Sequence, residues 1–103
     1  MVKKINEKEF DAMDKSGVVV VDFNATWCGP CKMLGPVLEE VSEELADKAK
    51  FYAVDTDENP NLAREFGIMS IPAVALLKDG VQQDMHVGFA PKETIIDFVT
   101  GNL

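Results

Sequence analysis

From Val18 to Phe23 the chain reads Val-Val-Val-Val-Asp-Phe, apolar at every position but Asp22. A strand with one wet face alternates apolar and polar residues, so a run without alternation has to be covered on both sides. That requirement places Val18 to Phe23 in the middle of a sheet with helices above and below it. The remaining segments must supply its neighbours and its covers.

They do so in a regular order. Val2 to Ile5 is short and suits an edge strand. Asn6, with Glu9 three residues on, has the form of a capping box, opening a helix that carries Phe10 and Met13 and ends near Ser16-Gly17. Leu34, Val37, Leu38, Val41 and Leu45 recur at helical spacing, with Glu39, Glu40, Glu43, Glu44 and Asp47 on the remaining surface. This is the longest helix, and Pro36 inside it removes an N–H and predicts a bend. Phe51 to Val54 is a second interior strand. Asn59-Pro60 starts a short helix, with Asn59 as cap, Leu62, Ala63 and Phe66 along it and Gly67 as its stop. Ala73 to Leu77 is the next strand, and Asp79-Gly80 turns it back into an antiparallel partner, Val81 to Val87. Pro91 opens the last helix, with Ile95, Ile96 and Val99 inward. The pattern is α/β: a central mixed five-stranded sheet with four helices on both faces.

At 103 residues the chain fits a single domain, 1–103, large enough to bury a core without disulfide staples or a structural metal. Apolar runs such as Val18 to Val21 are far too short to span a bilayer, and Met1-Val2-Lys3-Lys4 leads into no signal-like stretch. A cytoplasmic location and no membrane partner are expected. A net charge of −8 repels phosphate backbones, so no nucleic acid is expected either. No glycine-rich phosphate loop is present. The acidic helix face is read as a solvated surface, and a monomer is expected.

Both cysteines lie in Trp27-Cys28-Gly29-Pro30-Cys31-Lys32, between the central strand and the longest helix. Two residues between cysteines, where a strand turns into a helix, is the form of a dithiol that opens and closes as a disulfide. Other readings are a structural link, half of a zinc site or two buried thiols. A zinc site needs two more ligands, and the lone histidine, His86, is far off in sequence. Haem attachment requires a histidine where Lys32 stands. A structural link across two residues constrains the unfolded chain little.

Asp22-Phe23, Ala25, Trp27 to Met33, Pro36, Ile71-Pro72 and Gly88 together make the chain resemble the thioredoxin family along essentially its full length. The resemblance implies the thioredoxin fold and a general protein-disulfide reductase. It implies no bound cofactor, a redox-active Cys28–Cys31 disulfide, protein disulfide substrates, and a thioredoxin reductase that supplies electrons. Cys28, at a helix N-terminus where the dipole, free N–H groups and Lys32 favour an anion, is the expected nucleophile. Cys31, one turn further in and expected to be more buried, resolves the mixed disulfide. Gly29 admits a substrate backbone, and Pro30 suits a first turn that needs no N–H.

Asp22 matches the family's buried acid, which implies acid–base service to Cys31 through a water, with an acidity weakened by desolvation. Two departures stand out. Ala53 occupies the position where a lysine often accompanies that acid, and Asn24 replaces a common aromatic. Pro72 resembles the family's cis-proline, with Ile71 offering its backbone to an extended substrate. Trp27, Val87, Gly88 and Phe89 are expected to complete the contact surface. His86 is read as a strand surface residue, and Met33, Met69 and Met85 as gap fillers. A non-catalytic docking module, and an oxidase or isomerase on the same fold, remain as rivals.

Overall fold

The computed structural model describes residues 1–103. In chain order it contains β1 (Val2–Lys4), α1 (Glu7–Ala12), β2 (Val18–Asn24), α2 (Gly29–Glu44), β3 (Ala49–Asp55), α3 (Pro60–Glu65), β4 (Ala73–Lys78), β5 (Val81–Val87) and α4 (Lys92–Thr100). The five strands form one sheet in the order β1-β3-β2-β4-β5, which puts the valine run at its centre. β3 runs parallel to both β1 and β2. β4 is antiparallel to β2 and to β5, so the sheet is mixed.

Each face of the sheet owns every second residue of β2. Val18 and Val20 pack with Leu34, Leu38 and Val41 of α2 and with Ile95 and Val99 of α4. Val19, Val21 and Phe23 pack with Phe10 of α1, Leu62 of α3 and Phe66 just beyond it. Val19, Val20, Val21 and Phe23 are all at most 1% exposed. At roughly 1.5–3 kcal/mol for each fully buried side chain of this size, burial rather than local propensity fixes the strand at the centre.

Local chemistry sets the element ends. The Asn6 side chain accepts the Glu9 N–H at 2.8 Å and the Glu9 carboxylate accepts the Asn6 N–H at 3.1 Å, completing the capping box. The helix it opens stops at Ala12, well before Ser16-Gly17, and Met13 is already extended. Asp14 accounts for the early stop. Its carboxylate accepts the Ser16 N–H at 2.9 Å and the Ser16 hydroxyl at 3.0 Å, a local turn that competes with helical bonding.

Asn59 occupies the cap position of α3 but makes no cap bond there. Its Oδ1 accepts the Glu7 N–H at 2.9 Å, while Glu7 Oε1 accepts the Leu62 N–H at 2.9 Å. The starts of α1 and α3 therefore cap each other across the fold. In the β4–β5 hairpin Asp79 and Gly80 both take positive φ, 50° and 83°, as a tight two-residue turn requires. Asp79 Oδ1 accepts the Gly17 N–H at 2.8 Å, tying that turn to the entrance of β2.

Candidate active site

β2 delivers the chain to the N-terminus of α2, and Cys28 is the cap of that helix, with extended backbone (φ −88°, ψ 111°). Its sulfur accepts the Cys31 N–H at 3.2 Å, one of the bonds that a helix start leaves open. Pro30 lies in the first turn, where its missing N–H forfeits nothing. Cys28 and Cys31 are joined as a disulfide, their Cα atoms 5.3 Å apart. On reduction the Cys28 sulfur lies at the positive end of a 16-residue helix with an N–H directed at it, a setting that favours the thiolate. Lys32, one turn along, is exposed and pairs with no carboxylate.

The expected contrast in burial between the two cysteines is absent: Cys28 is 5% exposed and Cys31 6%. The bridge packs both sulfurs against Ala25, with Ile71 alongside. What distinguishes them is an open groove of about 540 Å³ that Cys28 lines and Cys31 does not. Trp27, Gly29, Pro30 and Ile71 share its wall with Cys28. A Cβ added at Gly29 meets no atom within 4 Å, so the missing side chain leaves space open to something outside the chain.

The Ile71–Pro72 peptide bond is cis, and the Ile71 carbonyl oxygen lies 4.0 Å from the Cys28 sulfur. Gly88, at φ 94°, donates its N–H to the Pro72 carbonyl at 2.8 Å, which holds the end of β5 beside the proline. Val87 and Phe89 are 54% and 44% exposed there, outside the groove itself.

Asp22 lies outside the groove too. It is 4% exposed, on the α2 and α4 face of β2, in register with Ala53 of β3 and Val74 of β4. Burial pushes its carboxyl up to about 6, partly offset by a hydrogen bond from Asn24. No cation offsets the desolvation, because Ala53 stands where one would.

Several features escaped sequence reasoning. Met69, read as a gap filler, is 96% exposed and lines the groove, and Met33 is 61% exposed. No neighbouring helix lies over either of them. Met85 alone fits its reading, packed beside the α1 and α3 side of the core. Trp27 is 69% exposed, and its indole N–H donates to Asp57 at 2.7 Å, a partner that no motif announced. His86, expected on the surface, is half-buried against the Phe98 ring at 5.9 Å, with its Nε2 buried and unpartnered. Only the approach of α4 to β5 makes this contact, and nothing near His86 in sequence signals it. No group of three or more His, Cys, Asp or Glu side chains is placed to hold a metal ion.

The family model described as Thioredoxin matches residues 1–101. The chain is 46% identical to the thioredoxin of Bacillus subtilis (strain 168) over 102 residues, covering 99% of this chain and 98% of that one. It is 45% identical to the thioredoxin of Staphylococcus aureus over the same shares of both chains. Among solved structures it is similar to chloroplastic thioredoxin z, with a TM-score of 0.85 and 31% identity over 97% of this chain and 92% of the other. With a cysteine pair bridged at a helix cap and the sheet order described above, the chain belongs to the thioredoxin family of disulfide oxidoreductases.

Proposed function

We propose that the chain is a general protein-disulfide reductase in which Cys28 attacks, Cys31 resolves and Asp22 handles the proton. The Cys28 thiolate attacks one sulfur of a substrate disulfide, and the other sulfur leaves as a thiolate. Asp22 then takes the Cys31 proton. The Cys31 thiolate attacks Cys28, the Cys28–substrate bond breaks, and the second substrate sulfur leaves with its electron pair. The substrate gains two electrons and the protein is left with the Cys28–Cys31 disulfide.

The observation that supports this best is the Cys28 sulfur acting as the helix cap while lining an open groove. Gly29 and Pro30 shape the turn. Trp27, Ile71, Pro72, Val87, Gly88 and Phe89 form the docking surface, where an extended segment pairs with the backbone of Ile71 and side-chain selectivity stays low. A thioredoxin reductase returns the electrons, and the chain acts as a cytoplasmic monomer. No helix is long and apolar enough to cross a membrane.

Turbidimetric reduction of insulin with a dithiol donor tests the proposal. The chain should accelerate precipitation and Cys28→Ser should not. Equal activity in Cys28→Ser, or none in the parent chain, would favour a docking module whose redox state is incidental.

A further inference from the structure

Asn24 closes β2 two residues beyond Asp22, so both side chains stand on the same face of the sheet. Its Nδ2 donates to Asp22 Oδ2 at 3.1 Å. Its own carbonyl accepts the Thr56 N–H at 2.8 Å and the Thr56 hydroxyl at 3.1 Å. The loop after β3 thus holds Asn24 by its backbone and leaves its amide to hold the carboxyl. The two oxygens of Asp22 are consequently unlike: Oδ2 is bonded, whereas Oδ1 is buried and has no partner.

We propose that Asn24 is a positioning residue for the exchange reaction, fixing the plane of the Asp22 carboxyl through Oδ2 and leaving Oδ1 to take and return the Cys31 proton. This rests on the reading of Asp22 as the proton acceptor given above. In the resolving step the proton passes from Cys31 to Oδ1, the Cys31–Cys28 bond forms, the Cys28–substrate bond breaks, and the substrate sulfur departs as a thiolate.

The surroundings leave Asn24 without a competitor. Ala53 of β3 and Val74 of β4, the register neighbours of Asp22, carry no charge. At the start of α2 the buried Cys28–Cys31 pair titrates only once reduced, while Lys32, Glu39, Glu40, Glu43 and Glu44 are exposed. Asp55, in register with Asn24, is engaged by the Asp57 and Glu58 N–H groups at 2.8 and 3.1 Å. On α4, Lys92 pairs with Glu44 at 3.0 Å, and Glu93 and Asp97 are exposed. His86 of β5, in register with Val74, packs at a tilt against Phe98. A neutral amide favours the carboxylate less strongly than an ammonium in its place would. Asp22 therefore keeps an acidity close to neutral, which suits a group that must both accept and release a proton.

The test uses Asn24→Ala and Asn24→Leu, which both delete the donor, the first losing volume and the second keeping it. Single-turnover release of thiol from a model disulfide reports resolution, iodoacetamide alkylation reports Cys28, and carboxyl NMR reports Asp22. Both variants should slow release about three- to tenfold near pH 6, with the acid limb of the rate and the Asp22 titration moving together to higher pH. Cys28 alkylation should be unchanged, and neither variant should slow release further in an Asp22→Asn background. The inference is overturned if alkylation falls as much as release, if the slowing persists in Asp22→Asn, or if Ala and Leu act in opposite directions. It is equally overturned if Asp22→Asn slows release and the Asn24 variants do not. Should Asp22→Asn itself leave release unchanged, the reading of Asp22 is what fails, and the role of Asn24 falls with it.

Discussion

The two faces of β2 begin alike and end differently. Toward α1 and α3, Val19, Val21 and Phe23 form an unbroken apolar row. Toward α2 and α4, Val18 and Val20 are core, but the row continues into Asp22 and Asn24. The first face can only pack. The second packs at its start and carries polar chemistry at the carboxyl end of the strand, where open α/β sheets place their sites. On the role proposed for Asp22, one strand supplies both stability and reactivity, and they separate by face.

The strongest way to break that division is to exchange the effects. Cys28→Ser should abolish disulfide turnover, a loss of at least about 10³-fold, because no thiolate is left to attack. Phe23, fully buried on the other face, should behave inversely. Phe23→Ala should cost about 3–5 kcal/mol in urea unfolding while the exchange rate per folded molecule holds. A large change in exchange chemistry for Phe23→Ala would merge the two faces into one unit.

Asp22→Asn sharpens the comparison because its two effects should have opposite signs. The carboxyl rises from 3.8 to about 6 on folding, mainly through burial. The folded state therefore holds its proton more tightly, so the favourable contribution to stability is complete below about pH 4 and is lost as pH climbs through 6. Two units at ~1.4 kcal/mol each make Asp22→Asn about 3 kcal/mol more stable than the parent at pH 7, with the gain vanishing near pH 3. Exchange should slow in the same variant. Urea titrations at both pH values check the stability, and insulin reduction checks the rate.

Smaller effects complete the series. Asn6→Ala removes the cap of α1, which covers the packing face, and should cost about 1 kcal/mol with no change in reduction rate. Gly29→Ala, at the start of α2, should shift stability by less than about 0.5 kcal/mol, since its Cβ meets nothing. It should slow folded protein substrates more than a small disulfide probe, as paired assays would show.

Sequence pattern carried the elements because each is a local periodicity or a punctuation mark. The valine run, the Asp79-Gly80 turn and the capping box all act within a few residues. Misreadings arose where a side chain answers to a distant partner or a competing local one. Asp14 ended α1 by bonding to Ser16, and Asn59 left its own helix to cap another. The site was legible in Cys28, Cys31 and the Ile71-Pro72 dipeptide, which travel as motifs. Met69 was not, because its exposure depends on what α3 and the loop after it fail to cover. Asn24 looked like a mere absence of an aromatic until the fold directed its amide at Asp22 Oδ2.

The most direct measurement is the alkylation of the fully reduced chain by iodoacetamide near neutral pH, with the modified residue mapped at short times. Cys28 should react first, and faster than a cysteine in an unfolded peptide, if the helix start favours its thiolate at the wall of the groove as proposed. Labelling of Cys31 first, or a Cys28 rate no greater than the peptide's, would contradict the assignment of the nucleophile on which the rest depends.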